Sequence, residues 1–397
     1  MKKKNGFWKG ALCGALAMLL VVGIAGGGYF VYRVVNSDDK VVTRGTEQKL
    51  SMLRELIDEV YLHSDEVSDE ELKEFLIKGY VSGLGDPYSV YYDKEETESL
   101  FESTEGKFGG IGVSITQDYE SGVMTFANVY EEGAGAEAGF QSGDILYKVD
   151  GEDVTGQDLN NVVAKIKGEE GTEVEITVLR GDDMEEYTAT ATRKIVEVHT
   201  VEHEMKEDGI GYIQITEFDD VTYDQFASAL EDLTGQGMVG LVIDLRNNPG
   251  GNLDTVCDIL DLILPEGTIL STKDKNGEGD TYTSDEEHKL ELPMSVLINE
   301  NSASASEIFA GAIQDYEAGT LVGTTTFGKG IVQQIFPLTD GTSIKLTISE
   351  YFTPNGRNIH GIGIEPDVAI EYEYDLEEPD ADNQLEKAIE IVNGNGM

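Results

Sequence analysis

The chain has 397 residues, enough for two to three domains of roughly 150 residues each, and it can form a sizeable core without metals or disulfides. Apolar residues make up 40% of the sequence and charged residues 26%, which excludes a protein that is disordered throughout. The 77 acidic and 28 basic residues leave a formal net charge of −49 at pH 7. Nucleic-acid binding is therefore not expected, because such a surface repels phosphate.

An uncharged apolar segment runs from residue 10 to residue 32. At a rise of about 1.5 Å per residue, a helix of this length matches a hydrocarbon layer about 30 Å thick, so we predict a transmembrane anchor. Four lysines precede it, which predicts a cytoplasmic N-terminus at 1–9 and an extracytoplasmic remainder on a single-pass protein of the cell membrane. A cleavable signal peptide is the alternative, but no clear A-x-A site precedes Arg33.

Cysteine and histidine usage argues against redox or metal chemistry. The two cysteines are Cys13, inside the apolar segment, and Cys257, so the extracytoplasmic part can form no internal disulfide. Cys257 has apolar neighbours at helical spacing, which indicates a buried core thiol. His199 and His203 lie in polar surroundings typical of an exposed strand edge, so we expect neither a metal nor a cofactor.

The pattern of apolar residues divides the rest of the chain into five regions. Steps of three and four residues predict helices up to about Phe101, short strands with glycine turns then follow, and alternating helices and strands come last, with a strand pair across 320–349. One helix, ended by Gly168, interrupts the strand-rich region. The predicted regions are a linker at 33–45, a helical segment at 46–105, a β-rich module at 106–192, an α/β core at 193–373 and a helical tail at 374–397.

The strongest candidate for chemistry is the small-residue turn at 299–310, where a buried strand leads into a helix. Ser304 and Glu307 have the spacing of a capping box, which is a purely structural explanation. The same helix N-terminus would also favour a nucleophilic hydroxyl, because its N–H groups stabilise an oxyanion. The local sequence leaves both explanations open.

Two further segments favour the catalytic explanation. Lys329 stands between two glycines, and a buried lysine whose pKa falls from about 10.4 towards roughly 7–8 can act as a general base without histidine or metal. The run Asn247–Gly251 follows a buried strand, so the N–H groups of Gly250 and Gly251 are candidates for an oxyanion hole, although a plain turn explains the run equally well.

Taken together, these residues resemble the C-terminal processing, or tail-specific, serine peptidases, which carry a PDZ domain inserted before the catalytic core. Five segments carry the resemblance, in the family's order: Gly83–Ser89, Asp244–Gly251, Ser302–Glu307, Thr326–Gln333 and Tyr351–Asp367. The resemblance implies a multidomain α/β protein with a PDZ domain at 106–192 and a mixed α/β Ser-Lys protease core of the ClpP or crotonase type.

The resemblance also assigns residue roles. It implies that Ser304 is the nucleophile, Lys329 the base and Gln333 the group that orients the lysine, with an oxyanion hole formed by the N–H of Ala305 and that of Gly250 or Gly251. In an extended strand, residues four apart lie about 13 Å from each other, whereas one helical turn brings them within about 6 Å. A hydrogen bond between Lys329 and Gln333 therefore requires a helical or kinked segment after Gly328.

In the PDZ domain, the resemblance implies that a chain terminus adds as a strand beside Ile111–Ile115. Two departures from the family are a missing proline in Gly133–Ala136 and Lys167, which stands where relatives gated by their PDZ domain often carry arginine. The implied peptide-binding residues are Gly110, Ile111, Gly112, Val113, Ile115, Leu159, Val163, Ile166 and Lys167.

The expected function is therefore that of a membrane-anchored serine endopeptidase whose partners are proteins or peptides with exposed C-termini. One alternative is a catalytically idle adaptor that holds chain ends through its PDZ domain. Another is an acyl-CoA enzyme with a similar oxyanion hole, which the predicted anchor disfavours. The sequence leaves open whether the N-terminal and C-terminal helical segments build a homodimer.

Overall fold

The structure, a computed structural model, describes residue 41 and residues 43–118, 121–181, 183–285, 289–374 and 381–394. The chain divides into two compact units, residues 1–76 and 77–397. The predicted anchor at 10–32 lies outside the described residues. Within the described ranges, no helix is both long and apolar enough to cross a membrane.

The first unit is helical. Helix α1 (Arg44–Val60) begins after Thr43, whose hydroxyl accepts a hydrogen bond of 3.3 Å from the N–H of Thr46. A 3-10 turn at Ser64–Glu66 follows, and α2 (Asp69–Ser82) starts in this unit and ends in the next. Helix α1 has no buried side chain, although it carries several leucines and a methionine.

The second unit opens with an acidic helix beside a short strand. Strand β1 (Val90–Tyr92) leads into α3 (Lys94–Glu105). Helix α3 begins with a capping box between Asp93 and Glu96. Helix α3 ends at Gly106, whose φ of 64° is left-handed and favours glycine. These elements confirm the predicted helices on either side of a Gly-Pro break.

The strand-rich region forms a six-stranded antiparallel sheet and two helices, which pack over a core that includes Phe126 and Val174. The sheet order is β3-β4-β5-β7-β8, β6 pairs with β5, and β2 pairs separately with β9. Its elements are β2 (Lys107–Gly110), β3 (Val113–Gln117), β4 (Met124–Val129), α4 (Ala134–Glu137), β5 (Ile145–Val149), β6 (Glu152–Asp153), α5 (Leu159–Ile166), β7 (Glu173–Arg180), β8 (Glu185–Thr192) and β9 (Lys194–Glu197).

The α/β core is a six-stranded sheet in the order β10-β11-β12-β15-β16-β19, parallel except for the edge strand β10. The elements of the core and the end of the chain are β10 (Val201–Met205), β11 (Ile210–Ile215), α6 (Thr222–Gly235), β12 (Gly240–Asp244), α7 (Leu253–Asp261), β13 (Gly267–Asp274), β14 (Thr281–Ser284), β15 (Met294–Ile298), α8 (Ala305–Asp315), β16 (Thr320–Gly323), β17 (Ile331–Pro337), β18 (Ser343–Phe352), β19 (Val368–Ala369) and α9 (Asn383–Val392).

Alternate residues of the parallel strands serve two apolar layers, which explains the continuous apolar runs in the sequence. Leu241 and Ile243 face one layer with α6, α7 and α8, whereas Val242 faces another with Ala388 and Val392 of α9. Cys257 lies in the first layer and is 7% exposed, which confirms the core thiol.

A second, antiparallel sheet corrects the predicted topology. The sequence predicts a strand pair across 320–349, but β16 belongs to the parallel sheet, and the antiparallel pair in this stretch is formed by β17 and β18. Strand β18 also pairs with β1 and β13, and β13 with β14. Because β13 and β14 are polar at many positions, their pairing was not evident from apolar periodicity.

His203 lies on the edge strand β10, as predicted, and its Nε2 is 3.0 Å from Asp232.

Asp219 is a buried acid next to Gly106, the residue that ends α3. It is 4% exposed, and burial, with the charges of Glu217 and Asp220, raises the pKa of its carboxyl to about 7. The folded state therefore binds a proton between about pH 4 and pH 7 that the unfolded chain releases. The contribution of Asp219 to stability should fall as the pH rises through this window and change no further above it.

We expect Asp219→Asn to stabilise the core more at pH 8 than at pH 5, by about 1–3 kcal/mol, because the amide cannot ionise. Urea unfolding of the variant and the wild type at both pH values measures this difference. Glu231→Gln, on the exposed face of α6, is the control and should show no such difference. An equal effect of Asp219→Asn at the two pH values would contradict the assignment.

Candidate active site

The candidate residues lie on three loops that leave neighbouring strands of the parallel sheet. Asn247–Gly251 follows β12, Ser304 follows β15, and Lys329 lies in the segment after β16. Because β12, β15 and β16 are adjacent and parallel, their carboxyl ends meet at one edge of the sheet. Ligand sites of open α/β sheets form at such an edge.

Ser304 occupies a sharp turn between β15 and the buried helix α8. Its φ of 54° and ψ of −112° are unusual for a residue with a side chain and are found mainly where the surroundings enforce them. The Ser304 side chain is only partly buried, whereas the first nine residues of α8 are buried. The Tyr351 hydroxyl donates a hydrogen bond of 3.3 Å to the Ser304 carbonyl. The turn therefore presents one hydroxyl group at the N-terminus of a fixed helix.

Glu307 joins the serine turn to the lysine loop. Its carboxylate is fully buried; Oε2 accepts hydrogen bonds from the backbone N–H groups of Ser304, at 3.0 Å, and Lys329, at 2.7 Å. Oε1 accepts from the Thr326 hydroxyl at 2.6 Å and from the N–H of Gly328 at 2.7 Å. The sequence suggested Glu307 only as a capping residue, because spacing within one helix cannot show a partner more than 20 residues away.

The glycine loop packs directly against the serine turn. A Cβ atom on Gly250 would lie 2.8 Å from Ser304 Cβ and 2.9 Å from Ala305 N, so a side chain would not fit there. The N–H of Gly250 donates to Asn248 Oδ1 at 2.8 Å. In the described part of the chain, the N–H groups of Gly251 and Ala305 have no acceptor. Of the two glycines predicted for the oxyanion hole, Gly251 is therefore the one with a free donor.

Lys329 is half-buried, and its surroundings lower the pKa of its amine from the usual value. Burial is the main cause and the charge of Lys345 adds to it, while Glu307 and Asp86 act in the opposite direction. The direction agrees with the requirement for a general base. The nitrogen Nζ lies 5.1 Å from the centre of the Tyr88 ring.

The side chains of Ser304, Lys329 and Gln333 are not joined by hydrogen bonds in the described structure. Gln333 lies on strand β17, not on a helical turn, and its buried Nε2 has no hydrogen-bond partner among the described residues. The register between β17 and β18 shifts next to Gln333, where one step on β17 faces two steps on β18. The structure brings the backbones of Ser304 and Lys329 together and leaves the Lys329–Gln333 hydrogen bond unformed.

The segment Asp86–Ser89 reaches the same site from the start of the second unit. Tyr88 faces Lys329, and the Asp86 carboxylate accepts hydrogen bonds from the Tyr88 N–H and the Ser89 hydroxyl. The Ser89 hydroxyl also accepts from the N–H of Thr347 on β18 at 3.1 Å. The sequence marked this segment as a motif but assigned no role to its residues.

A separate groove lies between β3 and α5. Its cavity has a volume of about 180 Å³. Leu159, by contrast, packs against the core of the module and is not part of this lining. Lys167 Nζ lies 3.1 Å from a Glu102 oxygen and 4.0 Å from the centre of the Phe108 ring. The lining consists of Phe108, Gly110, Ile111, Gly112, Val113, Ile115, Val163, Ile166, Lys167 and Val196.

Comparison with protein families matches three stretches of the chain. Residues 209–370 match peptidase family S41, residues 125–180 match the PDZ domain, and residues 20–96 match the N-terminal domain of the activating protease CtpB. The first match spans the elements from β11 to β19, which contain the Ser304 turn and the Lys329 loop. The second lies within the strand-rich module.

Individual relatives agree with these matches. The chain is 37% identical to the carboxy-terminal processing protease CtpB of Bacillus subtilis over 81% of this chain and 67% of that protein. It is also 37% identical to a carboxy-terminal-processing protease of Bartonella bacilliformis, over 76% of this chain and 70% of the relative. A solved structure assigned to the S41 proteases, from Bacteroides fragilis, shares the fold with a TM-score of 0.51 at 16% identity, covering 80% of this chain and 90% of that one. The chain is therefore a serine-type peptidase with a PDZ domain, and it belongs to peptidase family S41, among the carboxy-terminal processing proteases.

Proposed function

We propose that the protein is a membrane-anchored, extracytoplasmic endopeptidase that binds substrate C-termini in its PDZ groove and cleaves with Ser304 and Lys329. The observation that carries the proposal is the shared carboxylate oxygen of Glu307. Because one buried oxygen binds the backbone N–H of both residues, the nucleophile and the base are held at a fixed backbone separation. A general base must lie within hydrogen-bond reach of the proton that it removes.

In the proposed reaction, the neutral amine of Lys329 takes the proton of the Ser304 hydroxyl as Oγ attacks the substrate carbonyl. The N–H groups of Gly251 and Ala305 stabilise the negative charge on the carbonyl oxygen of the tetrahedral intermediate. The ammonium then returns its proton to the leaving amine, which leaves an ester on Ser304. Water hydrolyses this ester by the same route, with Lys329 as the base.

The role proposed for Gln333 requires a rearrangement. Its amide is buried beside the lysine loop and its nitrogen has no partner in the described structure. If the Lys329 side chain turns from Tyr88 towards β17, it gains this amide as a hydrogen-bonding partner. Gln333 Oε1 then accepts a hydrogen bond from an N–H of the neutral amine, which leaves the nitrogen lone pair free to take the proton of the Ser304 hydroxyl.

We expect Ser304→Ala and Lys329→Met each to lower kcat for a peptide substrate by at least about 10³-fold, because each removes a group that acts in the chemical step. Mass spectrometry of acid-quenched reactions should detect an acyl-enzyme on Ser304 in the wild type and in the matched control Lys273→Met. Lys273 is an exposed lysine on β13 that also lies over an aromatic ring.

Unchanged turnover of the peptide substrate by Ser304→Ala would overturn this mechanism. If the wild-type protein bound C-terminal peptides without cleaving any of them, the adaptor function would be favoured instead. Comparison of new C-termini in cells that produce the wild type or Ser304→Ala would identify the substrates.

The apolar lining of the groove predicts that substrates end in an apolar residue. Val163→Asp places a charge in this lining, so we expect the Kd of such a peptide to rise at least about tenfold. Ala164→Asp, on the exposed face of α5, adds the same charge outside the groove and should change the Kd by less than about twofold. Fluorescence anisotropy with a labelled peptide measures both values, and equal effects of the two variants would contradict binding in this groove.

The proposed membrane association depends on residues 10–32. We expect the full chain to stay with membranes after carbonate washing and a chain that lacks residues 1–32 to be released, because about 20 apolar residues suffice to span a bilayer. Protease added outside intact cells should degrade the peptidase part; its protection would reverse the proposed topology.

The proposal includes a homodimer, which in detergent would have twice the 43.3 kDa mass of the chain by light scattering.

A further inference from the structure

We propose that Tyr88 is a positioning residue of the active site: its ring holds the Lys329 side chain in a resting place, which the amine must leave before it can act as the base. The inference rests on the proposed role of Lys329 and extends it to a residue outside the serine and lysine loops. It also gives a role to the motif at Asp86–Ser89.

The Lys329 amine contacts the ring of Tyr88. Nζ lies 5.1 Å from the centre of the Tyr88 ring, within the range of a cation–π interaction. Among the described residues, no oxygen accepts a hydrogen bond from Nζ, and no hydrogen bond joins Nζ to the Ser304 hydroxyl. Both the Tyr88 and Lys329 side chains are half-buried. The aromatic face is thus the group that holds the amine in this position.

The ring itself is placed by a fixed turn. Asp86 Oδ1 accepts from the Tyr88 N–H at 3.0 Å, and Asp86 Oδ2 accepts from the Ser89 hydroxyl at 2.6 Å. Ser89 is buried, and its hydroxyl accepts from the N–H of Thr347, which ties the turn to β18. Strand β1, two residues beyond Tyr88, continues the attachment by pairing with β18. The segment therefore holds Tyr88 against the sheet that carries Lys345.

The charges around Lys329 come from three elements. Lys345 on β18 repels the ammonium, while Glu307 on α8 and Asp86 in the turn attract it; His360 in turn faces Asp86. A tyrosine ring attracts an ammonium through its quadrupole but gives little to a neutral amine. Loss of the proton therefore releases the side chain from Tyr88 at the moment when it becomes a base.

The test measures the titration of the Lys329 amine apart from catalysis. Trace acetylation of the full chain with acetic anhydride, followed by mass spectrometry of the peptide that contains Lys329, gives the amine pKa at successive pH values. We expect Tyr88→Leu to lower this pKa by about 0.5 unit, Tyr88→Phe to leave it unchanged and Tyr88→Trp to raise it, since indole gives the strongest cation–π contact. Lys148, which lies 4.3 Å from the ring of Tyr147, is the internal control and should not shift.

The pH dependence of kcat/KM reports the same base in the free enzyme. Its acidic limb should follow the amine, so that Tyr88→Leu is about threefold faster than the wild type below the pKa and equal to it on the plateau. A merely structural role would lower the plateau in Tyr88→Leu and move neither titration. If Tyr88→Leu does not fold, the opposite shift in Tyr88→Trp tests the same contact.

An unchanged Lys329 titration in both Tyr88→Leu and Tyr88→Trp would overturn the inference. A shifted titration with an unshifted kcat/KM profile would support the contact and would instead refute Lys329 as the base. The two failures are therefore distinguishable in one set of variants.

Discussion

The active-site arrangement depends on one buried carboxylate. Glu307 is fully buried and accepts four hydrogen bonds, two of them from the backbone of Ser304 and Lys329. A buried carboxylate without such partners is strongly destabilising, so the four donors and the acid require each other. Because the donors come from loops that follow two different strands, the carboxylate fixes the distance between those loops.

The same carboxylate opposes deprotonation of Lys329, the proposed base. Glu307 and Asp86 favour the ammonium form of Lys329, whereas burial and Lys345 favour the neutral amine. The pKa of the amine nevertheless falls below its usual value, so burial outweighs the attraction of the two acids. In a protein with a net charge of −49, burial of the Lys329 side chain is therefore the main reason that the pKa of its amine falls.

The sequence predicted the parts of this site that depend on local pattern. Apolar runs located the parallel strands, and small residues after the strands located the loops, because both signals lie within about ten residues. It could not show that Gly250 donates to Asn248 and leaves Gly251 free, since the direction of a backbone N–H depends on the folded loop. For the same reason it did not identify Glu307 or Tyr88, whose partners are distant in the chain.

The prediction for Gln333 shows a different limit. The spacing of Lys329 and Gln333 allowed a hydrogen bond between them only on a helical or kinked segment. In the structure, Gln333 lies on strand β17, whose register with its partner β18 is irregular. Local geometry thus defined the condition for the contact, but the pairing of β17 with β18, which is a long-range interaction, decided the conformation.

The groups of the site differ in how firmly they are held, and this difference shows where motion is needed. The donors of Gly251 and Ala305 are fixed by a bridge between Phe218 and Gly251 and by the buried helix α8. The backbone of Lys329 is fixed by Glu307, whereas among the described residues its amine is held by the face of the Tyr88 ring, which imposes little direction. In the proposed mechanism, assembly of the site therefore requires the rotation of one side chain about its own bonds rather than the displacement of a loop. Such a rotation moves no backbone atom, so the hydrogen bonds from the N–H groups of Ser304 and Lys329 to Glu307 persist through it.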